Sequence, residues 1–248
     1  MGHFVVLLPL LIIVSAILYR AHKKDPSNPY AYYFRNFSML WTACTLIGAA
    51  AVVLGGTVYA QLMGAAFSLP FHYIASAILL MLPFALYRKE GILPKSLAAL
   101  IVLIGLFIGS VIFVKANNLF GALGPVGAFY MQLFPSLKYI RLIPILAVLV
   151  PLGLFFLIEA WRATNKVARV RSLLIGIGTI IIGVFGGTHV FLGPVPLGFH
   201  IKIAELFVPL GFLIAFGGLL YGFLGVRYAG KRPPIWRSSS PSSYLLYA

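Results

Sequence analysis

Residues 186–205 read GGTHVFLGPVPLGFHIKIAE. This stretch closes one long apolar segment, turns through Gly193, Pro194, Pro196 and Gly198, and opens the next. Two apolar segments joined by so short a glycine- and proline-rich turn predict an antiparallel pair of membrane helices. His189 and His200 flank the turn, so the pairing would bring both imidazoles to one membrane face. An earlier stretch, residues 55–75, reads GGTVYAQLMGAAFSLPFHYIA. Gly55-Gly56-Thr57-Val58 aligns with Gly186-Gly187-Thr188-His189, and Phe71-His72 with Phe199-His200, the first turn being three residues longer.

The composition sets the class. Of 248 residues, 61% are hydrophobic and only 9% charged, and the mean hydropathy is +1.02. A soluble domain of this length could not cover its water-facing surface with so few charges. The net charge of +15 does not point to nucleic acid, because the basic residues fall in short runs between apolar segments, where they anchor a chain to the inner leaflet. Cys44 is the sole cysteine, which excludes an intrachain disulfide and a cysteine metal site. Residues 1–19 lack a basic flank before the apolar run and a small-residue cleavage site, and Arg20, Lys23 and Lys24 follow it. They read as a retained first helix rather than a signal peptide.

A helix needs about 20 apolar residues to cross the hydrocarbon. On that rule seven spans are expected, near 3–20, 36–60, 70–87, 96–115, 142–161, 172–192 and 200–226. Fifteen basic residues then fall on one face. They are Arg20, Lys23, Lys24 and Arg35, then Arg88, Lys89 and Lys95, then Arg162, Lys166, Arg169 and Arg171, and last Arg227, Lys231, Arg232 and Arg237. Four, Lys115, Lys138, Arg141 and Lys202, fall on the other. The positive-inside rule makes the richer face cytoplasmic. The expected fold is an all-α integral membrane protein, a seven-transmembrane-helix bundle with its N-terminus outside and its C-terminus cytoplasmic. Residues 1–230 form the membrane domain and 231–248 a Ser/Pro-rich cytoplasmic tail, disordered unless a partner holds it. The echo between the two Gly-Gly stretches suggests parallel repeats, 3–90 and 142–228, joined by the fourth helix in a 3+1+3 layout.

Residues 116–141 are too apolar and aromatic for a free outer loop. A helix lying in the interface would hide them, with Lys138 and Arg141 snorkelling to phosphates. Thr179, Gly183 and Gly187, and then Gly211, Ala215, Gly218, Gly222 and Gly225, form small-residue stripes that let helix backbones approach. Pro83 and Pro209 fall inside spans and should bend them.

Four histidines, His3, His72, His189 and His200, map to outer helix ends; His22 is cytoplasmic. Neutral imidazole ligates haem iron and other metals, so His72 with His200, or His189 with His200, could hold a haem b. The plainer reading is hydrogen bonding to water or headgroups. Glu205, inside the seventh span, is an intramembrane acid suited to proton relay or quinol binding. It could equally pair with Lys202 three residues earlier. Glu159 and Asp25 lie beside basic clusters and need no special role. A retinal lysine with its counter-ion, a protease serine motif, HExxH, a Walker loop and a dinucleotide fingerprint are all missing, so catalysis by this chain alone is not expected.

The stretch RATNKVARVRSLLIGIG, residues 162–178, looks like the same region of seven-helix sensor modules that precede bacterial signalling domains. It covers one loop and one helix, and the output domain of those modules has no counterpart here. The 3+1+3 layout is similar to that of seven-helix sugar carriers, without their Pro-Gln motif. The leading expectation is a membrane subunit of a respiratory or electron-transfer complex in a prokaryotic cytoplasmic membrane. It would hold haem b or quinone near the outer face through His72, His189, His200 and Glu205, with His72 and His200 on the haem iron. Its partners would be the bilayer and other membrane subunits, docked in part through the tail. The alternatives are a small-solute transporter of 3+1+3 type and a sensor or scaffold with no cofactor.

Overall fold

The computed structural model describes the backbone of residues 2–55, 58–87, 89, 91–118, 145–192 and 198–228, and the side chains of 7–50, 63–87, 89, 91–114, 146–185 and 207–223. Among these residues there are seven α-helices and no strand. They are α1 (Gly2–Lys24), α2 (Pro29–Gly55), α3 (Val58–Leu86), α4 (Ile92–Asn118), α5 (Val150–Arg162), α6 (Lys166–Leu192) and α7 (Gly198–Tyr228). A π-helical turn, Ile145–Leu149, runs directly into α5. Pro151 explains it: its ring would meet the carbonyl four residues back, and widening that turn relieves the contact.

Three segments, Met63–Leu86, Ile92–Val114 and Lys166–Phe185, are long and apolar enough to cross a membrane. The chain is therefore a membrane protein. Its outer surface agrees: of these three segments the one in α4 is the most apolar and also the least buried, with 28% of its most apolar 18-residue stretch inside against 44% for those in α3 and α6. Leu93, Leu100, Leu103 and Phe107 all point outward from it. In water such a helix would collapse onto another; in lipid it is already solvated.

Helix starts are written locally. Asn28 caps α2, its Oδ1 accepting from the Ala31 N–H at 3.1 Å, with Pro29 in the first position, where no N–H is needed. Asn165 caps α6 by accepting from Val167 at 2.8 Å. The end of α5 is closed by Arg169, which donates to the Ala163 carbonyl through Nε at 3.2 Å and Nη2 at 3.0 Å. From there the inward faces follow helical spacing. Leu7, Leu11, Val14 and Leu18 are buried on α1, and Tyr30, Phe34, Phe37 and Trp41 on α2.

Consecutive helices other than the pair α4 and α5 pack side by side, α7 also packs on α1, and α3 meets the π turn and α5. The six helices other than α4 thus close a ring. α4 packs on the outside of α3, where Gly105 lies against the Tyr73 side chain and Gly109 against the Ala66 carbonyl and Pro70. The seam between α6 and α7 is tighter still. A Cβ at Gly178 would come within 2.5 Å of the Gly211 carbonyl, and one at Gly211 within 2.8 Å of the Gly178 carbonyl. The small-residue stripe expected on α7 does face α6 through Gly211, Ala215 and Gly218. On α6, however, it is Gly178 that meets α7, while Gly183 faces Val150 of α5.

One boundary differs from the expectation in a way that matters. A loop between the second and third spans was expected near 61–69, but α3 begins at Val58. Pro70 lies inside the helix, as prolines in membrane helices can when neighbours satisfy the freed carbonyl. At 29 residues, α3 is about 43 Å long, so it exceeds the hydrocarbon thickness and must tilt. Consequently His72 sits halfway along α3, not at its end. The two echoing stretches also take different structures: Gly55 ends α2, whereas Gly186–Thr188 lie within α6. Of the 116–141 connection, residues 116–118 continue α4; the remainder and the 231–248 tail lie outside the described residues.

Candidate functional site: buried polar groups across the bundle

Antiparallel packing gathers the basic residues whose side chains are described at one end of the bundle, where α1, α3 and α5 finish and α2, α4 and α6 begin. Two buried polar contacts lie there. Glu159 of α5, 8% exposed, accepts a hydrogen bond from the Tyr87 hydroxyl at 2.6 Å. Arg171 of α6, 9% exposed, donates through Nη2 to the Tyr30 hydroxyl at 3.2 Å. The Arg171 guanidinium carbon also stands 4.2 Å from the centre of the Tyr30 ring. Both contacts join a residue of the first three helices or their end to a residue of the last three.

Their neighbourhood explains how charged groups are tolerated. The stem of Arg171 lies on Gly222, where any side chain would collide with its Cδ. Tyr30 packs on Phe156, ring centres 6.1 Å apart, and Phe156 on Phe34 at 6.4 Å. Glu159 and Arg171 lie close enough for both charges to reach the Tyr30 phenol. Burial, aided by the hydrogen bond to the Glu159 carboxylate, pushes the Tyr87 phenol up to about 12, and Arg162 opposes the shift. A phenol so placed is a firm donor at neutral pH, which suits a buried carboxylate. The Arg171 Nε, by contrast, is buried with no hydrogen-bond partner among the described residues.

Halfway along the bundle is a second feature. The His72 ring lies 4.3 Å from that of Trp41, tilted by 47°, and Trp41 packs edge-on against Phe212 at 5.2 Å. Phe37 completes the group, 5.1 Å from Trp41 and stacked on Phe212 at 6.2 Å. This aromatic layer connects α2, α3 and α7 through side chains.

The structure treats the expected site residues unequally. His72 lies level with Phe212, which is twelve residues beyond His200 in the chain, or about 18 Å along α7. His189 is in the last turn of α6, and His200 and Glu205 are in the first turns of α7; their side chains, and that of Lys202, lie outside the described residues. Among the described residues no three of His, Cys, Asp and Glu come together. Glu159 and Arg171, expected to be ordinary members of basic clusters, are instead the buried charges. The register held a signal: Leu152, Phe156, Glu159 and Ala163 follow a 4-3-4 spacing, and all are buried. No family model, no curated protein and no solved structure matches this chain.

Proposed function

We propose that the chain is a small-solute carrier of the cytoplasmic membrane, seven spans with the N-terminus outside and the C-terminus inside. Two three-helix units, within 3–90 and 142–228, close against each other at the cytoplasmic end, with α4 as the outer connector. The observation that carries this reading is that both buried polar contacts, Tyr87–Glu159 and Tyr30–Arg171, run between the units at the same end. Directional bonds across a divide can be broken and remade, as a gate requires, whereas interlocked apolar surfaces cannot move continuously. The basic residues at that end support its assignment to the cytoplasm. The test is uptake of labelled phosphate, succinate, alanine and glucose into liposomes holding the purified chain. Saturable uptake of at least one solute is expected; none above empty liposomes would sink the reading.

His72 motivates a second reading, the electron-transfer subunit that the histidine set and Glu205 suggest in the sequence. What supports it is an imidazole against Trp41 halfway along a membrane bundle, the kind of group that binds haem b or a quinone, with His189, His200 and Glu205 nearer the outer face. Partner subunits would then dock in part on the 231–248 tail. Reduced-minus-oxidised spectra of the chain purified in mild detergent separate the two readings. A b-type signal abolished by His72→Ala would favour the redox subunit.

A further inference from the structure

A guanidinium taken out of water is stable only when most of its donors are satisfied and its charge is balanced. Arg171 meets these conditions in part. Its partners among the described residues are the Tyr30 hydroxyl and the face of the Tyr30 ring, neither of them an anion. Cation–π contact offsets some of the desolvation. The Nε, buried and without a partner, stays available as a donor, and in a guanidinium Nε and one Nη form the fork that matches an oxyanion. The Tyr30 hydroxyl accepts from Nη2 and so has its own hydrogen to give. The only described carboxylate whose charge reaches Tyr30 is Glu159, and it is engaged by Tyr87. The Arg171 stem fills the space that the missing side chain of Gly222 leaves.

We propose that Arg171 and Tyr30 form an oxyanion-binding site at the basic end of the bundle, taking a carboxylate or phosphate group. A free solute and a lipid headgroup both carry such a group, and the donors that take it are the same. As the solute site of a carrier it rests on the reading above. As a binding site it is measured without transport, so the two can fail separately.

The experiment is a thermal-unfolding titration of the full chain, purified in neutral detergent and stripped of lipid. The probes are inorganic phosphate, succinate and, in a separate arm, mixed micelles containing phosphatidylglycerol. Saturable stabilisation by phosphate or succinate, lost in Arg171→Gln and kept in Lys166→Gln, supports the site with a free solute as source. Stabilisation confined to the phosphatidylglycerol arm, with the same dependence on Arg171, supports it with a headgroup as source. Tyr30→Phe should weaken binding about tenfold through one lost hydrogen bond. Arg171→Lys should weaken it by at least about tenfold, because an ammonium keeps the charge but not the fork. These two variants decide the matter should Arg171→Gln fail to fold. No saturable shift with any probe, or equal shifts in the wild type and the Arg171 and Tyr30 variants, would overturn the proposal.

Discussion

The middle of the bundle and its basic end are held together by different physics. In the middle, Gly178 and Gly211 bring α6 and α7 to near backbone contact, and Trp41, Phe37 and Phe212 fill the interior between α2 and α7. Those contacts depend on shape and tolerate neither insertion nor sliding. At the basic end, α2 and α3 meet α5 and α6 through two hydrogen bonds to charged groups, beside rings packed on Phe155 and Phe156. Such bonds are directional and sensitive to protonation, and they leave the surrounding helices intact when they break. On the carrier reading the first is a permanent seam and the second a conditional one.

The largest effect should come from the permanent seam. Gly178→Leu would drive a side chain into the Gly211 carbonyl and the Ala215 backbone, at a cost of about 3 kcal/mol. Loss of the monodisperse, helical protein in detergent is the expected result. Gly217→Ala, at a glycine with nothing within 4 Å, should leave stability unchanged or raise it slightly. Equal damage from both would show that close packing of α6 on α7 is not what holds the middle.

Breaking the conditional seam should cost less. Glu159→Leu strands the Tyr87 hydroxyl and should lower stability by about 2 kcal/mol. Adding Tyr87→Phe should restore part of the loss, because the unpartnered donor is then gone. A double-mutant cycle by thermal unfolding measures the coupling. A purely additive cycle would mean the two groups do not work as a pair.

Smaller effects follow from titration. Tyr87 has its folded value raised from the ordinary 10.0 to about 12. Its contribution to stability is therefore complete below pH 10 and lost as pH climbs through about 12. Tyr87→Phe should flatten the stability profile in that window. His22, in the last turn of α1, is shifted the opposite way: burial first, and then Arg35, lower its value from 6.5, while Asp25 raises it. The neutral ring is thus the form that the fold favours. Its contribution is complete above pH 6.5 and declines as pH falls below that value, because the unfolded chain takes up the proton more readily. His22→Gln should remove the decline; a slope that survives the change must come from another group.

Much of the fold was legible because membrane helices carry their signal in composition. Apolar length located α4 and α6, but α2 and α6 begin at Pro29 and Lys166, ahead of the expected 36 and 172, because the Asn28 and Asn165 caps start each helix in its polar flank. The start of α3 was missed because Pro70 and the polar Gln61 and Ser68 resemble a turn, although lipid leaves the backbone little choice but helix. The site was less legible. Glu159 and Arg171 stand next to solvated basic residues in the chain, and only their position in the helical register turns them inward. Tyr30 and Tyr87 looked like interfacial aromatics of the kind that exposed Tyr19 and Trp161 are. A tyrosine's choice between belt and interior depends on which neighbour arrives from the far half of the chain, and no local pattern encodes that.

The claim on which the functional account turns is that the two three-helix units part at the basic end during transport. It is tested by placing cysteines at Tyr87 and Glu159 in a Cys44→Ser background and joining them with a short bis-maleimide in liposomes that take up labelled phosphate or succinate. Cross-linking should stop uptake, while the same reagent should leave a chain with only one of the two cysteines active. Uptake that continues undiminished through the cross-linked chain would contradict the account.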